Sequence, residues 1–177
     1  MDAQPRHFRL QNAGQGRKLS VSLPSRITRL VGGALAWGGL MAVSASISLY
    51  FRNGFETLHL AELVTLFFLG GALAWPFIVL ASGLVARNAA VETRFAACFV
   101  LLALGTISVT ALLFTMDYRV FYAEWHEPLL SKIGLKQLFG TTMSASYQFA
   151  VLGMRLYLPV GLPILAGASL WLAKAMR

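Results

Sequence analysis

The sequence predicts an all-α membrane protein: a four-helix transmembrane bundle with an external interfacial amphipathic segment between the third and fourth helices. Of its 177 residues, 57% are hydrophobic and only 12% are charged, whereas about 25% of residues are charged in ordinary soluble domains. The apolar residues form four long runs, and the positive charges flank these runs. A net charge of +8 would suggest nucleic acid in a soluble chain, but this placement favours the lipid bilayer as partner and no nucleic acid.

The four predicted spans cover residues 30–51, 58–86, 95–116 and 147–173. Each has about the 20 apolar residues that a helix needs to cross the hydrocarbon core at 1.5 Å per residue. Residues 1–27 are polar and basic and contain too few apolar side chains for a core, so we predict a flexible cytoplasmic tail. Residues 28–177 then form the transmembrane domain. A cleaved signal peptide is the alternative for the first run, which is longer than the usual apolar region of about 7 to 15 residues.

The distribution of Lys and Arg predicts the orientation of the chain. On one side these residues lie in the N-terminal tail, at Arg87 and Arg94, and at the C-terminal end. The opposite side carries only Arg52, Arg119, Lys132 and Lys136. Cytoplasmic loops are enriched in Lys and Arg, so we expect both termini in the cytoplasm. The chain has no Asn-x-Ser/Thr acceptor, which favours a bacterial inner membrane.

One short motif occurs twice, at residues 32–37 and 70–75, and reads Gly-Gly-Ala-Leu-Ala-Trp both times. The copies would cross the membrane in opposite directions and at different depths, which argues against a symmetric transporter repeat. Small residues let helix backbones approach closely. We therefore predict helix packing as the role of Gly32, Gly33, Gly70 and Gly71, with Trp37 filling a slot between helices.

The predicted external segment, residues 117–146, carries aromatic side chains at helical spacing. They are Tyr118, Phe121, Tyr122 and Trp125. Aromatic residues with a polar end favour the membrane interface, so we predict that this segment lies flat among the lipid headgroups. A docking surface for a protein partner and a lid over a substrate path are the alternatives.

Arg155 lies well inside the fourth apolar run, close to Pro159 and Pro163. A guanidinium within the membrane needs a partner or a wet cavity, and each proline favours a bend in the helix. Because Glu62 lies on the same side of the membrane, we predict either a buried ion pair between Arg155 and Glu62 or the binding of an anion by Arg155. Coupling to proton movement is a further alternative.

A possible metal site consists of Glu56 and His59, which share a helical face with Glu62, together with His126 on the same side. A di-iron site would require two Glu-x-x-His helices and two more glutamates, and the sequence has only one Glu-x-x-His motif. We therefore expect no metal and no other cofactor.

The sequence contains no recognisable catalytic motif, so we predict a protein that is not an enzyme. The first hypothesis is a small accessory subunit that packs against a membrane partner or against further copies of itself. The second is a transport component that recognises an anionic solute or lipid headgroup through Arg155. The third is a small membrane metal or redox enzyme.

Overall fold

In the computed structural model the chain is helical, and no strand occurs among the residues that the structure describes, which are 23–52, 59–86, 89–128 and 130–176. The main helices are α1 (Leu23–Phe51), α2 (Leu60–Val85), α3 (Val91–Tyr122), α4 (Lys132–Gln148) and α5 (Gly161–Ala175). A 3-10 turn, Ala123–Trp125, follows α3. A π-helical turn, Phe149–Gly153, and a 3-10 turn, Met154–Tyr157, follow α4. Most of the predicted tail lies outside the described residues, but its last five residues belong to α1.

Among the described residues, three helical stretches are long and apolar enough to cross a membrane, namely Arg26–Phe51, Leu60–Val85 and the continuous stretch Val91–Trp125. A fourth crossing is possible if Lys132–Tyr157 and Gly161–Ala175 form one span, but these two segments meet at 76°. The fold is therefore an all-α fold of an integral membrane protein with three to four candidate spans. The predicted fourth span, residues 147–173, is not one straight helix.

The boundaries of the predicted external segment also differ from those in the structure. Its first residues continue α3 as far as Tyr122, and its last residues belong to α4, which runs through Gly140 without a break. Only residues 126–131 separate the two helical stretches, with Pro128 between them. The aromatic spacing that suggests a separate surface helix is the spacing of α3 itself.

The helices pack side by side in antiparallel order: α1 against α2, α2 against α3, and α5 mainly against α3. An added Cβ on Gly38 would lie 2.6 Å from the Phe68 carbonyl oxygen, and one on Gly71 would lie 3.0 Å from the Gly38 Cα. Gly33 leaves room for the Trp75 ring, and Gly70 leaves room for Thr110. The packing prediction thus fits Gly33, Gly70 and Gly71, whereas Gly32 has no neighbouring atom within 4 Å of an added Cβ.

The repeated motif brings its two tryptophans into one core. Trp37 and Trp75 are both buried, and their ring centroids lie 6.3 Å apart. They pack with Cys98 and Leu102 of α3 and with Leu172 of α5. Met176 also packs against this core, and Arg94 Nη1 of α3 donates a hydrogen bond of 3.2 Å to the Met176 carbonyl. The beginning of α1 and the end of α5 therefore lie at one end of the molecule.

Candidate anionic-ligand site at the broken helix

The helix breaks where Pro159 removes a hydrogen-bond donor. In a regular helix the N–H of residue 159 would bond to the carbonyl of Arg155, but proline has no N–H and its ring clashes at that position. Leu158 adopts an extended conformation (φ −107°, ψ 146°), as expected for a residue that precedes proline. The Leu158–Pro159 peptide bond is cis. Pro163 does not bend the chain, because it lies in the first turn of α5, where the N–H has no helical partner in any case.

Two serines of α1 hold the carbonyl groups that this break exposes. Ser48 Oγ donates a hydrogen bond of 3.1 Å to the Arg155 carbonyl, and Ser44 Oγ donates one of 3.4 Å to the Tyr157 carbonyl. Both serine side chains are buried. The Arg155 carbonyl also accepts a hydrogen bond of 3.2 Å from the Leu158 N–H. Exposed backbone acceptors are costly within a membrane, so the two serines add to the stability of the broken backbone at this place.

A buried polar chain joins the same break to α3. Tyr157 Oη donates a hydrogen bond of 2.8 Å to Thr110 Oγ1, and Thr110 Oγ1 donates one of 2.8 Å to the Thr106 carbonyl of its own helix. Trp37 Nε1 of α1 donates a hydrogen bond of 2.9 Å to Thr106 Oγ1. These hydroxyl and indole groups link three elements where little water is available, and such interhelical bonds contribute about 0.6 to 2 kcal/mol each.

Sequence reasoning missed the serine and threonine residues of this network, although a signal for them exists. Ser44 and Ser48 are four residues apart, as are Thr106 and Thr110. Residues four apart share one face of a helix, and pairs of hydroxyl residues on one face of an apolar helix indicate contact with another helix rather than with lipid.

Arg155 is exposed at the break, and it does not pair with Glu62. Within the described part of the chain, the ion pair of Glu62 is with His59, whose Nδ1 lies 2.7 Å from Glu62 Oε2. Both of these side chains are largely exposed, at 76% and 69%. The predicted buried ion pair between Arg155 and Glu62 is therefore not found, because the break directs Arg155 to the surface and Glu62 stands in the first turn of α2.

Arg155 also lies nearer to the end of the bundle than its place in the apolar run indicates. Its carbonyl is bonded to Ser48, four residues before Arg52, which corresponds to about 6 Å along a helix. An arginine at this depth can extend its guanidinium to the headgroup region while its methylene groups stay in apolar surroundings.

A cavity of about 300 Å³ lies beside the break, between α1, α3 and the beginning of α5. We refer to it as the Arg155 cavity. Its wall is almost wholly apolar, and Arg155 is the one ionisable side chain besides the Tyr157 phenol among the described residues that line it. The lining includes Met41 of α1, Phe99, Leu102 and Ala103 of α3, and Met154, Leu158 and Leu165 of the broken helix.

The metal-site candidates do not form a cluster in the described part of the chain. Glu56 lies outside that part, and no group of three or more His, Cys, Asp or Glu residues there could hold an ion. His126 stacks near Tyr122, with ring centroids 6.3 Å apart. Of the residues considered for a metal site, only His59 and Glu62 are in contact within the described part of the chain.

The predicted interfacial aromatic residues do lie together at the end of α3. Tyr118 and Tyr122 have ring centroids 4.8 Å apart, and Phe121 and Trp125 have centroids 5.7 Å apart. Phe121 and Trp125 are well exposed. Gln148 Nε2 donates a hydrogen bond of 3.2 Å to Tyr118 Oη, which connects this group to the end of α4.

The fold and the apolar helices define an integral membrane protein of the all-α class. Comparison of the chain with family models, with curated proteins and with solved structures finds no match.

Proposed function

We propose that this chain is a non-catalytic subunit of a membrane assembly and that it packs against a membrane protein partner, or a second copy, through α4. The observation that carries the proposal is how little of α4 the chain itself covers. Of its 17 residues only Gly134 and Ala145 are buried. Leu138 is half-buried, and the other large apolar side chains of α4 are exposed, namely Ile133, Leu135, Phe139, Met143 and Tyr147.

The exposed surface of α4 differs in chemistry from an ordinary lipid-facing surface. Beyond its first turns, which expose Glu62, α2 exposes large side chains that are apolar from Leu69 to Val85, among them Leu73, Phe77 and Leu80. By contrast, the stretch from α4 to the break exposes Ser146 and Arg155 beside Tyr147. Polar side chains within a membrane favour contact with another protein, where their hydrogen bonds can be completed. This supports a protein rather than lipid against α4.

Photocrosslinking in the native membrane tests the proposal. A benzoylphenylalanine at position 147 is expected to give one discrete adduct, either with a single partner protein or with a second copy. The matched control is the same replacement of Phe77, because Tyr147 is 70% exposed and Phe77 is 69% exposed. A chain that purifies as a monomer in mild detergent and gives equal or no adducts at the two positions would contradict the proposal.

The proposed location is the inner membrane of a bacterium, with both termini in the cytoplasm. The excess of Lys and Arg at the tail, at the connection between α2 and α3 and at the C-terminal end supports this orientation. The antiparallel packing that brings the beginning of α1 and the end of α5 to one end of the bundle is in agreement with it.

A transport component that recognises an anionic solute or lipid headgroup through Arg155 is a second candidate. It is favoured by one observation, namely that Arg155 lines a cavity with an otherwise apolar wall. Replacement of Arg155 by Leu separates the two candidates. Loss of transport with normal amounts of protein in the membrane would favour the second candidate, and an unchanged transport phenotype would contradict it.

A further inference from the structure

We propose that the Arg155 cavity binds one acyl chain of an anionic phospholipid, with the phosphate held by Arg155 and Arg52. This inference deepens the second candidate function by naming the class of ligand, and it does not depend on a protein partner. It starts from the shape and the chemistry of the cavity.

The wall of the Arg155 cavity suits a hydrocarbon chain better than it suits a dissolved ion. Three helical elements supply apolar side chains to it, with Met41, Phe99 and Leu165 as examples. The hydroxyl of Thr106 and the indole N–H of Trp37, which also line it, bond to each other. A small hydrated anion would lose its water at such a wall without replacement, whereas an acyl chain loses nothing there. At about 300 Å³, the cavity has the size of a small ligand pocket.

The charge at one edge of the cavity selects the headgroup. A second hollow adjoins the cavity at Leu158, which lines both, and Arg52 lines this second hollow together with Ser48 and Pro159. Ser48 bonds to the Arg155 carbonyl and stands one helical turn before Arg52. The two arginines therefore flank the same end of the cavity, and no acidic side chain of the described ranges forms an ion pair with either.

Two cations above an apolar cavity match a phospholipid whose phosphate carries an uncompensated negative charge. Guanidinium groups bind phosphate oxygens through charge-assisted hydrogen bonds. Since its carbonyl bonds to Ser48, about 6 Å along the helix axis from Arg52, Arg155 can reach the level of the phosphates. One acyl chain would enter the cavity between α1, α3 and α5, and the other would remain in the bilayer.

Native mass spectrometry of the full chain tests the choice of headgroup. The protein in mild detergent is offered equal amounts of phosphatidylglycerol and phosphatidylcholine with identical acyl chains. We expect retention of phosphatidylglycerol, and a loss of this preference by about tenfold in Arg155→Leu, since a hydrogen bond to a charged group contributes at least that factor. Arg119→Leu is the matched control. Arg119 is a cation in the last turn of α3, at the same end of the bundle as Arg52, and it does not line the cavity. Equal retention of both lipids, or equal losses in the two variants, would overturn the proposal.

Photolabelling of the unaltered chain tests the position of the acyl chain even if Arg155→Leu does not fold. A phosphatidylglycerol with a diazirine in one acyl chain should label cavity residues such as Met41, Phe99 and Met154. Ala103→Phe, which fills the cavity from α3, should reduce this labelling several-fold. Labelling confined to the exposed side of α4, or unchanged labelling in Ala103→Phe, would overturn the proposal.

A competition with oleate separates a phospholipid from a free fatty acid. We expect oleate to displace phosphatidylglycerol poorly, because oleate has no phosphate for Arg155 and Arg52 to bind. Retention of oleate without retention of phosphatidylglycerol would contradict the assignment. The crosslinking at Tyr147 reports on the protein partner separately, so either proposal can fail alone.

Discussion

Close contacts at single residues decide how α1 and α2 can approach. Gly38 and Gly71 face each other across α1 and α2, and the Phe68 carbonyl oxygen lies 2.6 Å from the position of a Cβ added to Gly38. Dispersion and weak polar contacts between closely packed backbones drive helix association in a membrane, where the hydrophobic effect between helices is lacking. The close Phe68 carbonyl thus leaves no room for a side chain at position 38, whereas position 32 has open space.

Gly38→Ala is expected to lower the free energy of unfolding by about 1 to 3 kcal/mol, the usual effect of overpacking. The clash is with a backbone carbonyl 2.6 Å away, which cannot move aside like a flexible side chain. Gly32→Ala, at a position of the same helix with open space, is the matched control and should leave stability unchanged or raise it by up to about 1 kcal/mol. Steric-trap unfolding in bicelles measures both, and equal effects of the two substitutions would refute the packing role of Gly38.

The broken helix is the element that defines the candidate site. Pro159 has no N–H to donate to the Arg155 carbonyl, which accepts hydrogen bonds from the Leu158 N–H and from Ser48 of another helix instead. The bend of 76° is therefore caused by Pro159 in the bent segment itself and is stabilised by Ser44 and Ser48 of α1. Ser44 of α1 bonds to the carbonyl of Tyr157, which lines the Arg155 cavity. The position of the cavity therefore depends on α1.

Ser44→Ala combined with Ser48→Ala should loosen the angle between α4 and α5. Loss of two interhelical hydrogen bonds is expected to lower stability by about 1 to 3 kcal/mol in total and to broaden the distance between spin labels at Thr142 and Leu170. The matched control is Ser46→Ala, because Ser46 Oγ donates only to the Ala42 carbonyl of its own helix. Double electron–electron resonance measures the distances, and a distribution as narrow as that of the control would show that the serines do not support the bend.

In the whole molecule, the beginning of α1, the end of α2, the beginning of α3 and the end of α5 lie together at one end of the bundle. The hydrogen bond from Arg94 to the Met176 carbonyl joins two of these regions. The turn after α3, with Glu124 and Trp125, lies at the other end. This arrangement predicts that residues at the two ends of the bundle are accessible from opposite sides of the membrane.

Single cysteines at positions 90 and 124 in a Cys98→Ala background should react from opposite sides with a membrane-impermeant maleimide. We expect labelling at position 124 in intact cells and at position 90 only after permeabilisation, because basic regions stay in the cytoplasm. Both parent side chains, Ala90 and Glu124, are exposed, so each can react once the reagent reaches it. Labelling of both positions in intact cells would refute the proposed orientation.

The sequence by itself determined the parts that depend on local composition. Length and apolarity predict the three helices that can cross a membrane, because the cost of exposing backbone in lipid allows few other solutions. The small residues of the repeated motif indicate that helices approach closely there, and Pro159 marks the break. These properties follow from a few neighbouring residues and from the bilayer as solvent.

Only the tertiary structure decided where Arg155 lies and what surrounds it. The bonds from Ser44 and Ser48 join residues more than 100 positions apart, and no local pattern specifies such a partner. Glu62 lies at the same end of the bundle as Arg155, yet its bond is to His59, because the residue just before α2 is only three positions from Glu62 and lies close to it. Whether a charged residue meets a carboxylate, a cavity or the surface depends on the directions of several helices together, and those directions follow from the packing of the whole chain.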